Sequence, residues 1–280
     1  MTSESTSTAP AAAPQRGAWQ PFTPQGVAAF ARAGWGRLLA MLMLMGLGAG
    51  LVMMWFVRGA WFPPVDKAVA ALPFSGEIAG GRLLMNIQGP LPLAGNRYLA
   101  LAIDLDHRGT ETPPADLQIE LGATNLHLRG VLGYVEVPYP PAWYLPLNQR
   151  QAVPWWGAWK QAVLAGVWVA GTVGLMFIWI FLGLLYVPLA RVVAWLRGVE
   201  LRVSAAWRLC AASLMPGAVI MTAALWAYGW GLIDLVRLGL VAIFHVMVAW
   251  VYVPLSVLCL PRNNQSGKPP GNPFETAKGR

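Results

Sequence analysis

Four stretches of apolar sequence dominate the pattern of hydrophobic and polar positions along the chain. The longest is residues 161–190, which contain no charged side chain between Lys160 and Arg191. At about 1.5 Å per helical residue, this stretch can cross a hydrocarbon core of about 30 Å. The other stretches free of Asp, Glu, Lys and Arg are residues 38–57, 209–233 and 238–261. We therefore predict four transmembrane helices.

The sequence between the first two apolar stretches, residues 59–154, follows a different pattern. Its short apolar runs alternate with polar positions, as in Leu-Gln-Ile-Glu-Leu from Leu117, and Gly-Gly, Gly-Pro and Gly-Asn pairs separate them. A period of two with such turn residues is typical of β-strands. We predict an antiparallel β-rich domain with strands at residues 82–87, 98–105, 117–121, 125–129 and 134–137. Pro63-Pro64 is expected to break the lead-in to this domain.

The predicted fold is an α-helical integral membrane protein with four transmembrane helices and a small antiparallel β-rich extracytoplasmic domain. We expect Phe30, Arg32, Trp35 and Arg37 to lie at the membrane interface. The predicted segments are a disordered cytosolic tail with an interfacial approach (1–33), transmembrane helix 1 (34–58), the extracytoplasmic domain (59–154), transmembrane helix 2 (155–190), a cytosolic interfacial connector (191–208), transmembrane helices 3 and 4 (209–261) and a flexible cytosolic tail (262–280).

Charge fixes the predicted orientation. Charged residues are 11% of the chain, against about 25% in soluble domains, and the net charge is +8. With both termini inside, the inner segments hold 11 Lys and Arg against 3 Asp and Glu, whereas the outer segments hold 9 of each. This asymmetry is that of the positive-inside rule and indicates a multi-pass protein of the bacterial cytoplasmic (inner) membrane with cytosolic termini. It also accounts for the basic balance without a nucleic-acid partner.

Few polar residues are candidates for chemistry. His245 is the one ionisable side chain deep within a predicted helix, and it is either hydrogen-bonded to Thr222, Ser213 or a backbone carbonyl, or functional as a ligand or proton relay. Asp104 and Asp106 follow an apolar strand, where they form either a β-turn or a weak cation site. His107 and His127 lack the spacing of a zinc site and are expected to be surface residues. No catalytic residue, metal or cofactor is predicted.

Small residues predict where helices pack together. Gly46 and Gly50 lie on the first predicted span, and Gly166, Ala170 and Gly174 lie four residues apart on the second. Such residues let helix backbones approach closely. Pro216-Gly217 predicts a kink in the third span.

The arrangement resembles a known bacterial family. Its N-terminal span, its β-rich outer domain with an Ile-Asp strand end and Gly turn (Ile103-Asp104 to Gly109), and its C-terminal helical membrane region are similar to those of an uncharacterised membrane-protein family. One member of that family carries a maltodextrin-utilisation label, and its helical part is compared with the Yip1-type membrane domain. The resemblance implies the same architecture and supplies no catalytic residues.

The expected function is non-enzymatic. We interpret the chain as an accessory, assembly or scaffold protein that binds another membrane or periplasmic protein through its outer domain and helix faces, within the lipid bilayer. A homo-oligomer, in which a second copy of the chain is the partner, is also compatible with the sequence. The alternative is a component of a transporter or permease with a polar site around His245.

Overall fold

The computed structural model describes residues 20–106 and 114–261. Its helices are α1 (Pro24–Phe30), α2 (Trp35–Phe56), a π-helical turn (Val57–Trp61), α3 (Phe62–Ala71), α4 (Gln149–Leu185), α5 (Val187–Leu196), α6 (Val203–Ser213), α7 (Met215–Gly229) and α8 (Leu235–Leu258). Its strands are β1 (Glu77–Ala79), β2 (Arg82–Leu84), β3 (Leu91–Gly95), β4 (Leu99–Ile103), β5 (Leu117–Leu121), β6 (Asn125–Gly130), β7 (Gly133–Pro138) and β8 (Tyr144–Pro146).

Four helical runs are long and apolar enough to cross a membrane: Trp35–Ala71, Gln149–Leu196, Val203–Gly229 and Leu235–Leu258. These runs confirm the prediction of four long apolar helices. The first run is longer than predicted because Pro63 and Pro64 do not break it. They occupy the first turn of α3, where a missing N–H is tolerated, and the π-helical turn joins that helix to α2.

The predicted interfacial connector, residues 191–208, is divided between two helices. Helix α5 ends at Leu196, Gly198 adopts a left-handed conformation with φ +67°, and α6 begins at Val203. Glycine enters this conformation without the steric cost that a Cβ would impose. A turn at Leu214 then separates α6 from α7, close to the kink predicted at Pro216-Gly217.

The described chain forms two compact units. Unit 1 consists of residues 20–41, 179–216 and 248–261, and unit 2 consists of residues 42–106, 114–178 and 217–247. All of the strands described above belong to unit 2.

Helix-end contacts organise unit 1. Phe30 on α1 is fully buried, as are Leu209 and Cys210 of α6, so its side chain lies in the protein interior. The Arg208 guanidinium donates to the carbonyl of Ala31, at the end of α1, over 2.8 Å. Arg197 donates over 2.9 Å to the carbonyl of Leu258, the last residue of α8. A cation at the negative end of a helix dipole stabilises that end.

Unit 2 contains two small sheets. β2, β1 and β8 form an antiparallel sheet in that order, and β3 to β7 form a five-stranded sheet in sequence order. The antiparallel prediction holds for every ladder described except β4–β5, which is parallel. Residues 104–116 connect those two strands, and a connection of about a dozen residues is long enough to return the chain for parallel pairing.

The five predicted strands correspond to β2, β4, β5, β6 and β7, whereas β1, β3 and β8 were not predicted. β1 and β8 have three residues each, too few to show an alternating pattern. β3 contains Pro92, beside which its register with β4 shifts. Proline in a strand is typical of an edge or a bulge, and this obscures the signal in the sequence.

A core forms where the two sheets meet. Leu72, Ile78, Leu83, Ile103 and Tyr139 are buried together there, and Leu121 and Leu126 pack against them. The Tyr139 hydroxyl donates to the carbonyl of Gly122 over 3.2 Å. Burial raises the pKa of Tyr139 to about 12, so the phenol keeps this donating proton at neutral pH.

Helices α2 and α4 approach closely in unit 2. The Thr172 hydroxyl donates to the carbonyl of Gly46 over 3.3 Å, and the Trp168 indole donates to the carbonyl of Leu47 over 3.4 Å. A Cβ on Gly50 would lie 2.4 Å from Thr172 Oγ1 and 3.1 Å from the backbone oxygen of Trp168. Because a backbone oxygen cannot rotate away, a side chain at residue 50 would force the two helices apart.

We therefore expect Gly50→Leu to lower the free energy of unfolding by about 1–3 kcal/mol, the usual cost of overpacking. Gly48→Leu is the matched control, because no described residue lies within 4 Å of a Cβ at that position. Thermal unfolding of the purified protein in detergent measures both. Equal effects of the two substitutions would contradict the close approach of α2 and α4.

Candidate functional site

The turn between β3 and β4 attaches the five-stranded sheet of unit 2 to helical segments of the same unit. The Asn96 side chain donates to the carbonyl of Ala60 in the π-helical turn over 2.6 Å. Its oxygen accepts from the backbone N–H groups of Tyr98 and Leu99, both at 2.9 Å. One amide therefore shapes the turn and fixes it to a helix.

Arg97 and Tyr98 bind the end of α7. The Tyr98 hydroxyl lies 2.9 Å and 3.0 Å from the carbonyls of Tyr228 and Gly229, the last two residues of that helix. The Arg97 guanidinium donates to the carbonyls of Gly231 at 3.3 Å and Ile233 at 3.1 Å. The last carbonyls of a helix lack partners within it, so these donors satisfy groups that would otherwise need water. The carbonyl of Tyr228 also accepts from the backbone N–H of Gly231 over 2.9 Å.

Two further contacts complete this arrangement, which we call the anchor cluster: Asn96, Arg97, Tyr98, Asp116 and Tyr228. The Tyr228 hydroxyl donates to Asp116 Oδ2 over 2.6 Å, and the backbone N–H of Asp116 donates to the carbonyl of Arg97 over 2.9 Å. The rings of Tyr98 and Tyr228 meet edge to face, with centroids 5.1 Å apart. The sheet therefore has a fixed position on its helical support within unit 2.

The five-stranded sheet has one apolar face, built from rows of register partners. Ile103, Leu121, Leu126 and Val137 form one row across β4, β5, β6 and β7, and Leu101, Ile119, Leu128 and Val135 form the next. The side chains of this face become more exposed toward β7: Ile103 is fully buried, whereas Val137 is 43% exposed and Val135 is 57% exposed.

Strand β7 is the last strand of this sheet, and all six of its residues are exposed. Val131 and Leu132, in the turn that joins it to β6, are exposed as well. We call Val131, Leu132, Val135 and Val137 the β7 surface. An edge strand offers backbone donors and acceptors to another chain, and exposed apolar side chains beside it favour association. The β7 surface is therefore the candidate functional site.

The opposite face of β6 and β7 is polar. The Tyr134 hydroxyl contacts His127 Nδ1 and donates to Glu136 Oε1 over 2.8 Å, and Asn125 donates to Glu136 Oε2 over 3.1 Å. Local desolvation and the hydrogen bond to Glu136 raise the pKa of Tyr134, so the phenol keeps its proton and donates it in the hydrogen bond to Glu136. His127 is only 9% exposed, and its prediction as a surface residue is wrong. These contacts stiffen β7 from its polar side.

The two aspartates predicted as a turn or cation site differ in their surroundings. Asp104 follows β4 directly, is 1% exposed, and donates its backbone N–H to the carbonyl of Leu121 over 3.0 Å. Asp106 is exposed, and His107 lies outside the described residues. A hydrated cation held by both carboxylates would have to reach a nearly inaccessible Asp104 side chain. In residues 20–106 and 114–261, no group of three or more His, Cys, Asp or Glu side chains is arranged to hold a metal ion.

His245 lies on α8 and is half-buried. Its Nδ1 atom is buried and has no hydrogen-bond partner within the described part of the chain. The hydroxyls expected to bind it donate to carbonyls of their own helices, Thr222 to Ala218 over 2.8 Å and Ser213 to Cys210 over 2.6 Å. A Cβ on Gly217 would lie 2.5 Å from the carbonyl oxygen of His245, so α7 and α8 are in close contact at this level.

The structure separates the glycines predicted to pack helices. Gly46 and Gly50 face Thr172 across the contact between α2 and α4. On α4, the contact is made instead by Trp168, Gly171 and Thr172, with Gly171 against Met53. A Cβ on Gly166 or Gly174 would meet nothing within 4 Å among the described residues, and Ala170 between them is exposed. This second set of small residues is not used within the described chain.

Neither the anchor cluster nor the β7 surface is predicted from the sequence. Arg97 and Tyr98 carried one signal, a basic and an aromatic residue directly after a Gly-Asn turn, but many surface turns share it. No family model, curated protein or solved structure matches the chain.

We expect Tyr98→Phe to lower the free energy of unfolding by about 1 kcal/mol, because it removes the hydrogen bonds to the end of α7 and keeps the ring. Arg97→Gln should add to this loss. Hydrogen exchange of the peptide containing residues 228–236 should become faster in both variants. Arg82→Gln, an exposed change on β2, is the control. Unchanged exchange in the Arg97 and Tyr98 variants would show that the anchor cluster does not hold the α7 end.

Proposed function

We propose that the chain is a multi-pass protein of the bacterial cytoplasmic membrane, with four spans and cytosolic termini. Its two sheets then lie on the extracytoplasmic side. The support is the four apolar helical runs together with the charges of the two units. The described part of unit 1 holds six Arg and one Glu, whereas the described part of unit 2 holds eight Lys and Arg and eight Asp and Glu. The positive-inside rule assigns such a basic unit to the cytoplasmic side.

Within this membrane setting, we propose a non-enzymatic accessory or assembly role, in which the outer domain binds a partner protein at the β7 surface. The observation that carries the proposal is an edge strand, all of whose residues are exposed, at the uncovered end of an apolar sheet face. The anchor cluster supports it, because a sheet held in a fixed position loses little conformational freedom on binding.

The proposed occupant is an extended segment of the partner that adds to β7 as a further strand. Val135 and Val137 would contact alternate side chains of that segment, while Glu136 points to the polar face with His127 and Tyr134. Backbone hydrogen bonds would supply affinity, and the apolar row would supply specificity. We propose that the polar cluster of His127, Tyr134 and Glu136 holds β7 in position and has no catalytic role.

A component of a transporter or permease is the second candidate, and His245 favours it. A buried polar atom without a hydrogen bond costs free energy in an apolar environment. A ligand or partner group that binds Nδ1 would remove this cost.

The partner proposal is tested by site-specific photocrosslinking in native membranes. A photoreactive residue at Val135 should capture a discrete partner, whereas the same residue at Leu84, exposed on β2, should not. Val137→Lys should abolish the adduct, and Leu84→Lys should leave it unchanged. Adducts with lipid alone, or with a second copy of the chain alone, would contradict a separate partner protein.

The two functions predict opposite results in complementation of a deletion strain. Under the accessory role, Val135→Lys with Val137→Lys fails to restore the wild-type phenotype, whereas His245→Ala restores it. Under the transporter role, His245→Ala fails and the β7 variant restores. Membrane abundance of each variant is the control for folding. Restoration by both variants would contradict both proposals.

A further inference from the structure

Helix α5 and the loop after it form a basic hollow in unit 1. The hollow has a volume of about 310 Å³, and its charged lining residues are Arg191, Glu200 and Arg202. Trp195 also lines it. On the other side of Arg191 and Trp195 lies a second hollow of about 440 Å³, lined by the apolar side chains of Val187, Pro188 and Val192. A two-arginine hollow and an apolar groove therefore share one wall.

The apolar side chains around this wall are uncovered. Trp195 is 77% exposed, and Val192 and Leu196 on the same helix are exposed too. A single exposed apolar residue is ordinary, but an exposed tryptophan with aliphatic neighbours beside arginines is typical of a surface at the boundary between lipid and water. In the proposed membrane orientation, this surface lies on the cytosolic side.

The two exposed arginines of the hollow differ from Arg197 and Arg208, the partly buried arginines of unit 1. Arg197 and Arg208 donate to the carbonyls at the ends of α8 and α1. The side chains of Arg191 and Arg202 have no hydrogen bond or ion pair with any residue of the described chain, and both residues are exposed. With Glu200 as the one carboxylate in the lining, the hollow has an excess of positive charge.

The start of α6 adds to this potential. Arg202 is the N-cap residue of α6, and its side chain does not cap the helix, since a guanidinium has no acceptor. The first N–H groups of a helix and its dipole favour an anion near this end.

We propose that this hollow binds the headgroup phosphate of an anionic phospholipid from the cytosolic leaflet. The phosphate lies between Arg191 and Arg202, the Trp195 ring lies against the glycerol region, and an acyl chain follows the groove of Val187, Pro188 and Val192. Basic hollows beside membrane helices on the cytosolic side are suited to such headgroups. The proposal rests on the membrane orientation given above and is independent of the partner at the β7 surface.

Native mass spectrometry of the full-length protein, purified in a mild detergent and mixed with phosphatidylglycerol or phosphatidylcholine, tests this site. The wild-type protein should retain phosphatidylglycerol preferentially. Arg191→Gln with Arg202→Gln should reduce this retention about tenfold or more, since each basic residue near anionic lipid contributes appreciably to binding. Arg32→Gln with Arg37→Gln removes the same charge from elsewhere in unit 1 and should retain most of the binding.

Glu200→Gln should raise phosphatidylglycerol retention, an increase that misfolding cannot produce. Trp195→Ala should lower it without affecting the elution of the protein as a single species. Equal losses in the two double arginine variants would show general charge attraction and overturn the site. Displacement of the lipid by excess inorganic phosphate, to the level of the double variant, would show a free-phosphate site instead. Failure of the lipid assay alone leaves the β7 crosslink unaffected, so the two proposals fail separately.

Discussion

The carbonyl groups at the ends of helices are the constraint on which this structure depends. Each α-helix leaves its last carbonyls without partners inside the helix, and an apolar surrounding supplies no water to replace them. The chain provides donors from side chains. In unit 1, Arg208 binds the end of α1 and Arg197 binds the end of α8. In unit 2, Arg97 and Tyr98 bind the end of α7 and the residues after it.

These donors also connect the fold to the proposed function. Tyr98 and Arg97 lie on the turn that leads into β4, the strand with the most buried residues in the five-stranded sheet. Because the same turn satisfies α7 and holds β4, the sheet is fixed at one end, while its other end, β7, is exposed. The arginines of unit 1 show a corresponding division: Arg197 and Arg208 bind helix ends, whereas Arg191 and Arg202, like Arg32 and Arg37, are exposed.

Sequence reasoning identified the features that depend on local pattern. The apolar runs predicted the long helices, and alternation predicted β4 to β7, because both signals come from neighbouring residues. It missed what depends on distant partners. The parallel pairing of β4 with β5, the role of Arg97 and the burial of Phe30 are set by residues far away in the sequence. Gly50 combines both kinds of feature. Its small size predicted a close helix contact from the sequence, whereas only the structure identifies Thr172 and Trp168 as its neighbours.

Every functional proposal depends on lipid surrounding the four helical runs, with unit 1 charges on the cytosolic side. The most direct test is labelling of single cysteines with a membrane-impermeant maleimide in spheroplasts, after replacement of the exposed Cys259 by serine. A cysteine at Leu84, on β2, should be labelled in intact spheroplasts, and one at Glu200, after α5, only after permeabilisation. Labelling of residue 200 in intact spheroplasts, or protection of residue 84, would contradict the account.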